Sequence, residues 1–414
     1  MPSTLLAPAP DAPAPDATAH PSARSPLPLL DDAFPLRADA PDAVAPRAAA
    51  LTDTIPTTAA AGARGSDREP RLWRPDRVVV TPDALAEPWG RAMVARAEAL
   101  GLDVERPRAN RVTGLRRADP RAEVRDAKRT LAIVNAPPGR LRLDPIPPSA
   151  DFRLDLAEGC PAHCHYCYLA CSLPGPPVVR TFANLGAILD AATAHVRPDA
   201  ETSFESSCYT DPLALEHLTG SLAATIAWFG DARRAPAGAR LRWTSKFTTP
   251  ALVAPLLDLP HAGRTRVRAS VNAEPVARRF EAGTAPVTRR LAGLAQLAEA
   301  GYPVGLTIAP ITPVPDWETH YAALLDAAAS ALPPAADLTV ELITHRFTPG
   351  SKRVLCGWYP NSALEMDEAA RAEKRHKHGG VKYVLRAESM RAVRAWFTRA
   401  IAERLPGGRV LYWT

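Results

Sequence analysis

Six cysteines occur in the 414 residues, and four of them, Cys160, Cys164, Cys167 and Cys171, fall within one twelve-residue stretch. Cys208 and Cys356 stand alone. A long chain that gathers its thiols in this way reads as metal-binding or redox-active rather than disulfide-bonded. The run is Gly159-Cys160-Pro161-Ala162-His163-Cys164-His165-Tyr166-Cys167-Tyr168, so three thiols are spaced C-x3-C-x2-C. Three thiolates on one short loop can hold three irons of a [4Fe–4S] cube, whereas ferredoxin-type clusters close the cube with a fourth. The iron left open can chelate a substrate or cofactor. Zinc is the competing occupant. It needs four ligands, with His163, His165 or Cys171 as the fourth, and usually a second knuckle far along the chain, which is not visible here. Cys171 otherwise reads as a small thiol without a role.

The elements around these residues alternate. Candidate strands run over 152–156, 202–205, 240–244, 266–271, 304–308 and 338–342. Helical patterns lie between them at 185–196, 213–229, 251–257, 287–300 and 317–332. Six β/α repeats predict a parallel sheet with right-handed crossovers, either an open sheet or a barrel. In both, the carboxyl ends of the strands form the active face. The cysteine run follows the first strand, Cys208 the second and Lys246 the third. Ser270 and Asn272 end the fourth, and His345 and Arg346 follow the sixth. Before the repeats, a strand at 77–80, a helix at 87–100 and a strand at 131–134 predict a small α/β attachment. After them come a helix near 389–405 and a strand near 410–413.

Composition sets the remaining bounds. Apolar residues make up 46% and charged residues 23%, which suits a soluble protein with a sizeable core. No stretch approaches the roughly 20 apolar residues of a membrane span, and no secretory signal pattern opens the chain. A cytoplasmic location without membrane contact is the expectation. Prolines number 44, of which 13 lie in residues 1–70 beside 19 alanines. That segment has few aromatics and no period, so disorder is expected. It carries 9 acidic and 5 basic residues, leaving 35 acidic and 45 basic in the rest. A basic body suits a polyanionic partner such as nucleic acid. The expected divisions are a tail over 1–72, an α/β region over 73–150, the repeats over 151–345 and a C-terminal extension over 346–414.

The cysteine motif, with an aromatic residue before its last thiol, resembles the signature of radical S-adenosylmethionine (SAM) enzymes. The longer run resembles spore photoproduct lyases in particular. Further segments are similar in order: Phe204-Glu205-Ser206-Ser207-Cys208-Tyr209-Thr210-Asp211, Thr244-Ser245-Lys246, Ser270-Val271-Asn272, Phe280-Glu281-x-Gly283-Thr284, Ala309-Pro310-Ile311, and Glu341-Leu342-Ile343-x-His345-Arg346-Phe347-Thr348. The resemblance spans about 73–414. It implies a partial (β/α)6 barrel and repair of 5-thyminyl-5,6-dihydrothymine, a thymine dimer formed by ultraviolet light in dry, spore-like DNA.

By that resemblance, Cys160, Cys164 and Cys167 hold a [4Fe–4S] cluster whose open iron binds SAM. Reductive cleavage of SAM gives a 5′-deoxyadenosyl radical that takes hydrogen from C6 of the lesion. Cys208 then returns a hydrogen atom to the thymine radical. Tyr166 is expected to relay hydrogen back to Cys208, and Tyr168, Thr210, Lys246, Ser270 and Asn272 are assigned to SAM. His345 and Arg346 are candidate contacts for lesion or phosphate. UV-damaged DNA and a reductant such as flavodoxin or ferredoxin are the implied partners. One departure stands out. The family carries an arginine-tyrosine pair in a hairpin before Lys382-Tyr383-Val384, and Lys377 and His378 occupy those places here. This raises an alternative to dimer repair, a same-scaffold radical SAM enzyme with another nucleic-acid substrate; a non-catalytic metal-bearing DNA-binding module is a further alternative, from another class.

Overall fold

In a computed structural model, residues 72–173, 175–375 and 380–414 are described. The alanine- and proline-rich tail expected to be disordered lies outside them, except for Leu72, which packs on the main core.

The main sheet has eight strands in chain order: β1 (Pro145–Ile146), β2 (Ala150–Arg153), β3 (Thr202–Glu205), β4 (Ala239–Ser245), β5 (Thr265–Val271), β6 (Val304–Ile311), β7 (Leu338–Thr344) and β8 (Arg409–Trp413). β1 and β2 are antiparallel, and all later pairings are parallel. All six repeats expected from the sequence are present, and the C-terminal strand joins the same sheet as a further parallel member. Crossover helices include Leu185–His195, Ser221–Gly230, Val287–Glu299 and Trp317–Ala331.

The alternation of side chains explains why the strands curl. On β4, Leu241 and Trp243 are fully buried and share a core with Leu291, Leu294 and Leu325 of the helices. Arg240, Arg242 and Thr244 point the other way. On that second face Arg268 of β5 reaches Glu205 on β3 and Glu341 on β7, with Nη1 2.7 Å from Glu341 Oε2. Arg242 pairs with the same Glu341, which also accepts from Thr307 at 3.1 Å and Tyr412 at 3.2 Å. A side chain can join strands two positions away on both sides only across a concave face. The interior of the half-barrel is therefore a charged floor, and its outer shell is apolar. Burial would raise the Glu341 carboxyl, but Arg268 and Arg242 overcome this and hold it below its ordinary value.

A second sheet places Val104–Glu105, Arg77–Val80, Thr130–Val134, Val179–Phe182 and Ala157–Glu158 side by side. Its last two strands come from the repeat region and pair antiparallel, Ala157 with Thr181 and Glu158 with Arg180. The small α/β attachment thus shares strands with the segment that carries the cysteines.

Local differences from the sequence reading have physical causes. The helix expected over 213–229 is two helices, Pro212–Thr219 and Ser221–Gly230, broken where Gly220 adopts a left-handed φ of 63°. Helices Pro120–Lys128, Glu274–Phe280 and Pro349–Trp358 are not among those expected from the sequence: each is short and carries a proline in its first turn, which reads in sequence as a break.

Gly305 on β6 leaves room for the floor. A Cβ there would lie 2.6 Å from Thr339 Oγ1 and 2.8 Å from Arg268 Cγ. Gly305→Ala should therefore destabilise the chain by about 1–3 kcal/mol, the usual cost of overpacking. Chemical denaturation reads this directly, and an unchanged midpoint would count against the packing described.

Candidate active site

The cysteine loop leaves the small sheet at Glu158 and returns to it at Val179. Gly159 makes the departure at φ 83°, and a Cβ there would fall 2.3 Å from the Val178 carbonyl oxygen. Only glycine fits this approach. The far side of the loop docks on the barrel: His163–Cys164 pairs antiparallel with Glu281–Ala282, and the His165 amide donates to the Phe280 carbonyl at 2.8 Å. Lys128, at the end of helix Pro120–Lys128, is 2% exposed. Its Nζ donates to the carbonyls of Cys160 at 2.8 Å and Ala162 at 2.5 Å. It makes no ion pair with a carboxylate among the described residues.

This donor set fits an iron–sulfur cube. Burial pushes the Cys160 thiol up to about 12 and the Cys164 thiol higher still. Such thiols become ligands only when a metal displaces their protons. A cube takes one thiolate per iron, which three thiols on one loop can supply. The buried Lys128 ammonium beside the loop suits an anionic occupant. His163 and His165 turn toward another segment: the Tyr359 hydroxyl lies 3.3 Å from His163 Nδ1, Ser362 Oγ lies 2.9 Å from His165 Nδ1, and the Tyr359 ring stacks on His165 at 4.6 Å.

Glu281 gathers the next group. Its Oε1 accepts from Lys246 Nζ at 2.8 Å and from the Tyr166 hydroxyl, and Arg290 Nη1 lies 2.7 Å from its Oε2. Burial alone would raise this carboxyl, yet Arg290 and Lys246 hold it down at about 2. Tyr166 is pushed well above the ordinary phenol value, first by burial and then by Glu281. Tyr166 and Lys246 are thus brought together through a shared carboxylate. Asp211 accepts from the Lys246 amide at 2.7 Å and the Ser245 hydroxyl at 2.7 Å, which fixes the strand end. Thr210 is buried with its hydroxyl unpartnered, as a ligand-binding group would be. Ser270 is buried nearby, and its carbonyl accepts from Arg290 at 2.8 Å.

Cys208 follows β3 and is half-buried. Burial, with Asp155 adding and Arg153 opposing, pushes its thiol up to about 12. It therefore keeps its hydrogen at neutral pH, as a hydrogen-atom donor must.

The model of the family described as "Spore photoproduct lyase" matches residues 73–414. The chain belongs to the spore photoproduct lyase family. It is 36% identical over 345 residues to the spore photoproduct lyase of Bacillus subtilis, covering 82% of this chain and 98% of that one. The Geobacillus lyase gives the same identity and coverage. A solved spore photoproduct lyase, a substituted variant with bound AdoMet and dinucleoside spore photoproduct, superposes with a TM-score of 0.77 at 35% identity. That match covers 83% of this chain and all of the other. The half-barrel fold is common to both.

The remaining expected site residues are placed as follows. Tyr168 is 69% exposed. Asn272 is fully buried and engaged at both amide atoms, donating to the Pro310 carbonyl at 2.8 Å and accepting from Tyr321 at 2.8 Å. His345 is 2% exposed, with Nδ1 3.3 Å from Arg371 Nη2, while Arg346 is exposed. The hairpin of Ala372–Arg375 and Val381–Val384 is present. Lys377 and His378 lie outside the described residues. No helix among the described residues is long and apolar enough to cross a membrane.

Three residues were missed as site residues. Glu281 stood inside a quoted motif without a role, and Arg290 carried no signal. Lys128 reads in sequence as a solvated helix-end lysine. Lys128→Met should loosen the cysteine loop, so iron bound per chain after anaerobic reconstitution should fall severalfold; full iron content would refute that function. A second prediction concerns acid. Burial, with Arg371 adding, holds His345 at about 3 against an ordinary 6.5. The stability tied to the neutral ring is complete above about pH 6.5 and is lost as pH falls toward about 3. His345→Gln should accordingly lose about 2 kcal/mol less stability than the parent between pH 7 and pH 5. Equal losses in urea titrations would contradict it.

Proposed function

We propose that this chain repairs UV-damaged DNA by reversing the spore photoproduct, 5-thyminyl-5,6-dihydrothymine, to two thymines. The observation that carries the reading is the parallel pairing of β2 with β3. Cys208 follows β3, and the cysteine loop follows β2 after one short strand of the small sheet, Ala157–Glu158. Similarity to spore photoproduct lyases over residues 73–414 supports it.

In this proposal Cys160, Cys164 and Cys167 hold a [4Fe–4S] cluster, and Thr210, Lys246, Ser270 and Tyr168 line the SAM site. When bound, cluster and SAM together supply a carbon radical able to remove a hydrogen atom from the lesion. The chain's own residues do the rest. The Lys246 ammonium is held in place by Glu281, so it meets its ligand already oriented. Asn272 acts indirectly, bracing the strand end through Pro310 and Tyr321. Cys208 gives its hydrogen atom to the thymine radical: the S–H bond breaks, a C–H bond forms and a thiyl remains. Tyr166 is assigned the relay of a hydrogen atom to that thiyl: its O–H, turned away from Glu281, breaks as the S–H re-forms, and the phenoxyl radical left would be refilled by a hydrogen atom from SAM's product side. Arg346 is exposed and suited to a DNA phosphate, whereas His345 is buried against Arg371. A flavodoxin- or ferredoxin-class reductant in the cytoplasm supplies the electron. The organisation proposed is a small α/β region over 73–150, the barrel over 151–345 and a C-terminal extension over 346–414.

The test is an anaerobic assay with dithionite, SAM and a synthetic lesion dinucleotide. Restored thymidylyl-thymidine is the expected product, and Cys208→Ala should still cleave SAM while releasing misquenched thymine products. Clean repair by that variant at the parent rate would end the donor role. SAM cleavage by the parent without dimer reversal would point instead to another nucleic-acid substrate, the alternative raised by Lys377 and His378.

A further inference from the structure

Tyr209, the residue after Cys208, lies against two guanidinium groups. Arg140 lies 4.6 Å and Arg153 4.4 Å from the centre of its ring. Cations within about 6 Å of an aromatic face are attracted to it, and more strongly where water is excluded. Neither arginine is free to drift. Both pair with one carboxylate oxygen, Asp155 Oδ2, Arg153 at 2.8 Å and Arg140 at 3.2 Å. Arg140 also reaches Glu158 at 2.8 Å, and Arg153 reaches Asp144 at 2.7 Å.

Asp155 is itself 4% exposed, and its second oxygen has no hydrogen-bond partner. It lies two residues past β2, and the intervening Leu154 amide donates to the Glu205 carbonyl at 2.9 Å and so binds the segment to β3. On the other side of Cys208, Ser207 Oγ donates to Glu205 and accepts from the Thr244 amide at 2.9 Å. Cys208 is therefore the free residue between two anchored neighbours. Asp155 and Arg153 both act electrostatically on its thiol.

Hydrogen-atom transfer requires donor and acceptor in contact, and a displacement of about 1 Å can cost roughly a hundredfold in rate. A half-exposed loop cysteine has no such precision of its own. We propose that Tyr209, Arg140, Arg153 and Asp155 form a positioning clamp that fixes the Cys208 thiol at the barrel mouth and so sets what fraction of substrate radicals ends as repaired thymine. The proposal rests on Cys208 being the hydrogen donor. None of the four residues touches the reacting atoms, so they are positioning residues.

The experiment measures 5′-deoxyadenosine formed per thymidylyl-thymidine restored, in the anaerobic holoenzyme, for Tyr209→Leu, Tyr209→Phe and Cys208→Ala. Tyr209→Leu removes the ring from both guanidiniums. It should raise the ratio severalfold and release the misquenched products expected of Cys208→Ala. Tyr209→Phe keeps an aromatic face and should return the ratio toward the parent value, which a purely structural defect would not do. A parent-like ratio in Tyr209→Leu, with Cys208→Ala uncoupled, overturns the clamp and leaves the donor reading intact. A parent-like ratio in Cys208→Ala removes the donor reading and the clamp with it. Should Tyr209→Leu fail to fold, Arg140→Gln removes one of the two cations and leaves the ring. Peptide-resolved alkylation of Cys208 then gives a second readout, faster in the variant if the clamp holds the thiol and unchanged if it does not.

Discussion

Glu281 is the fastening between the cysteine loop and the barrel. Its backbone pairs with Cys164, and its carboxylate takes Lys246, Tyr166 and Arg290. A carboxylate at such depth is tolerable only because two cations and a phenol surround it. Removal of either cation would leave the carboxylate to the other and cost one charge-assisted hydrogen bond, about 1.5–3 kcal/mol. The same contact therefore sets loop position, lysine orientation and the resting place of the tyrosine hydroxyl. Three residues from separate elements converge on one carboxylate whose own strand is two residues long.

Beneath this fastening lies the charged floor. Arg242, Arg268, Glu205 and Glu341 occupy interior positions that an ordinary barrel fills with branched apolar side chains. Ion pairs of this kind contribute little net stability but demand one arrangement of the strands that bear them. The stability comes from the outer shell, where residues such as Trp243, Val267 and Leu294 are fully buried against helices. The division suits a half-barrel. The shell holds the strands together, and the floor sets a polar base below the mouth while anchoring Ser207 through Glu205.

Much of this arrangement was legible in the sequence. The strands bearing Leu241 and Trp243 or Val267 and Ala269 announce themselves by alternation, and the carboxyl-end placement of Cys208 and Lys246 follows from the order of elements. The motif run named the thiols. What could not be read depends on tertiary approach. The break at Gly220 sits inside an unbroken apolar pattern. Arginines at 240, 242, 266 and 268 look like edge-strand residues until the sheet curls around them. Lys128 has the sequence neighbourhood of a solvated lysine, and only the fold brings the Cys160 carbonyl to its ammonium. Asn272 adds a second case: its place at a strand end suggests a ligand contact, and only the fold shows that its amide also braces Pro310 and Tyr321.

The two sheets are not modules that can be exchanged at will. Val179–Phe182 closes the cysteine loop and also pairs along its length with Thr130–Val134. A fragment cut near residue 150 would strip that partner away and bare a row of backbone amides and carbonyls flanked by Val179 and Phe182. Unpaired apolar edges of this sort recruit strands from other molecules. Truncation to the barrel alone would thus trade a tidy unit for a sticky one, with aggregation beginning beside the cysteine loop.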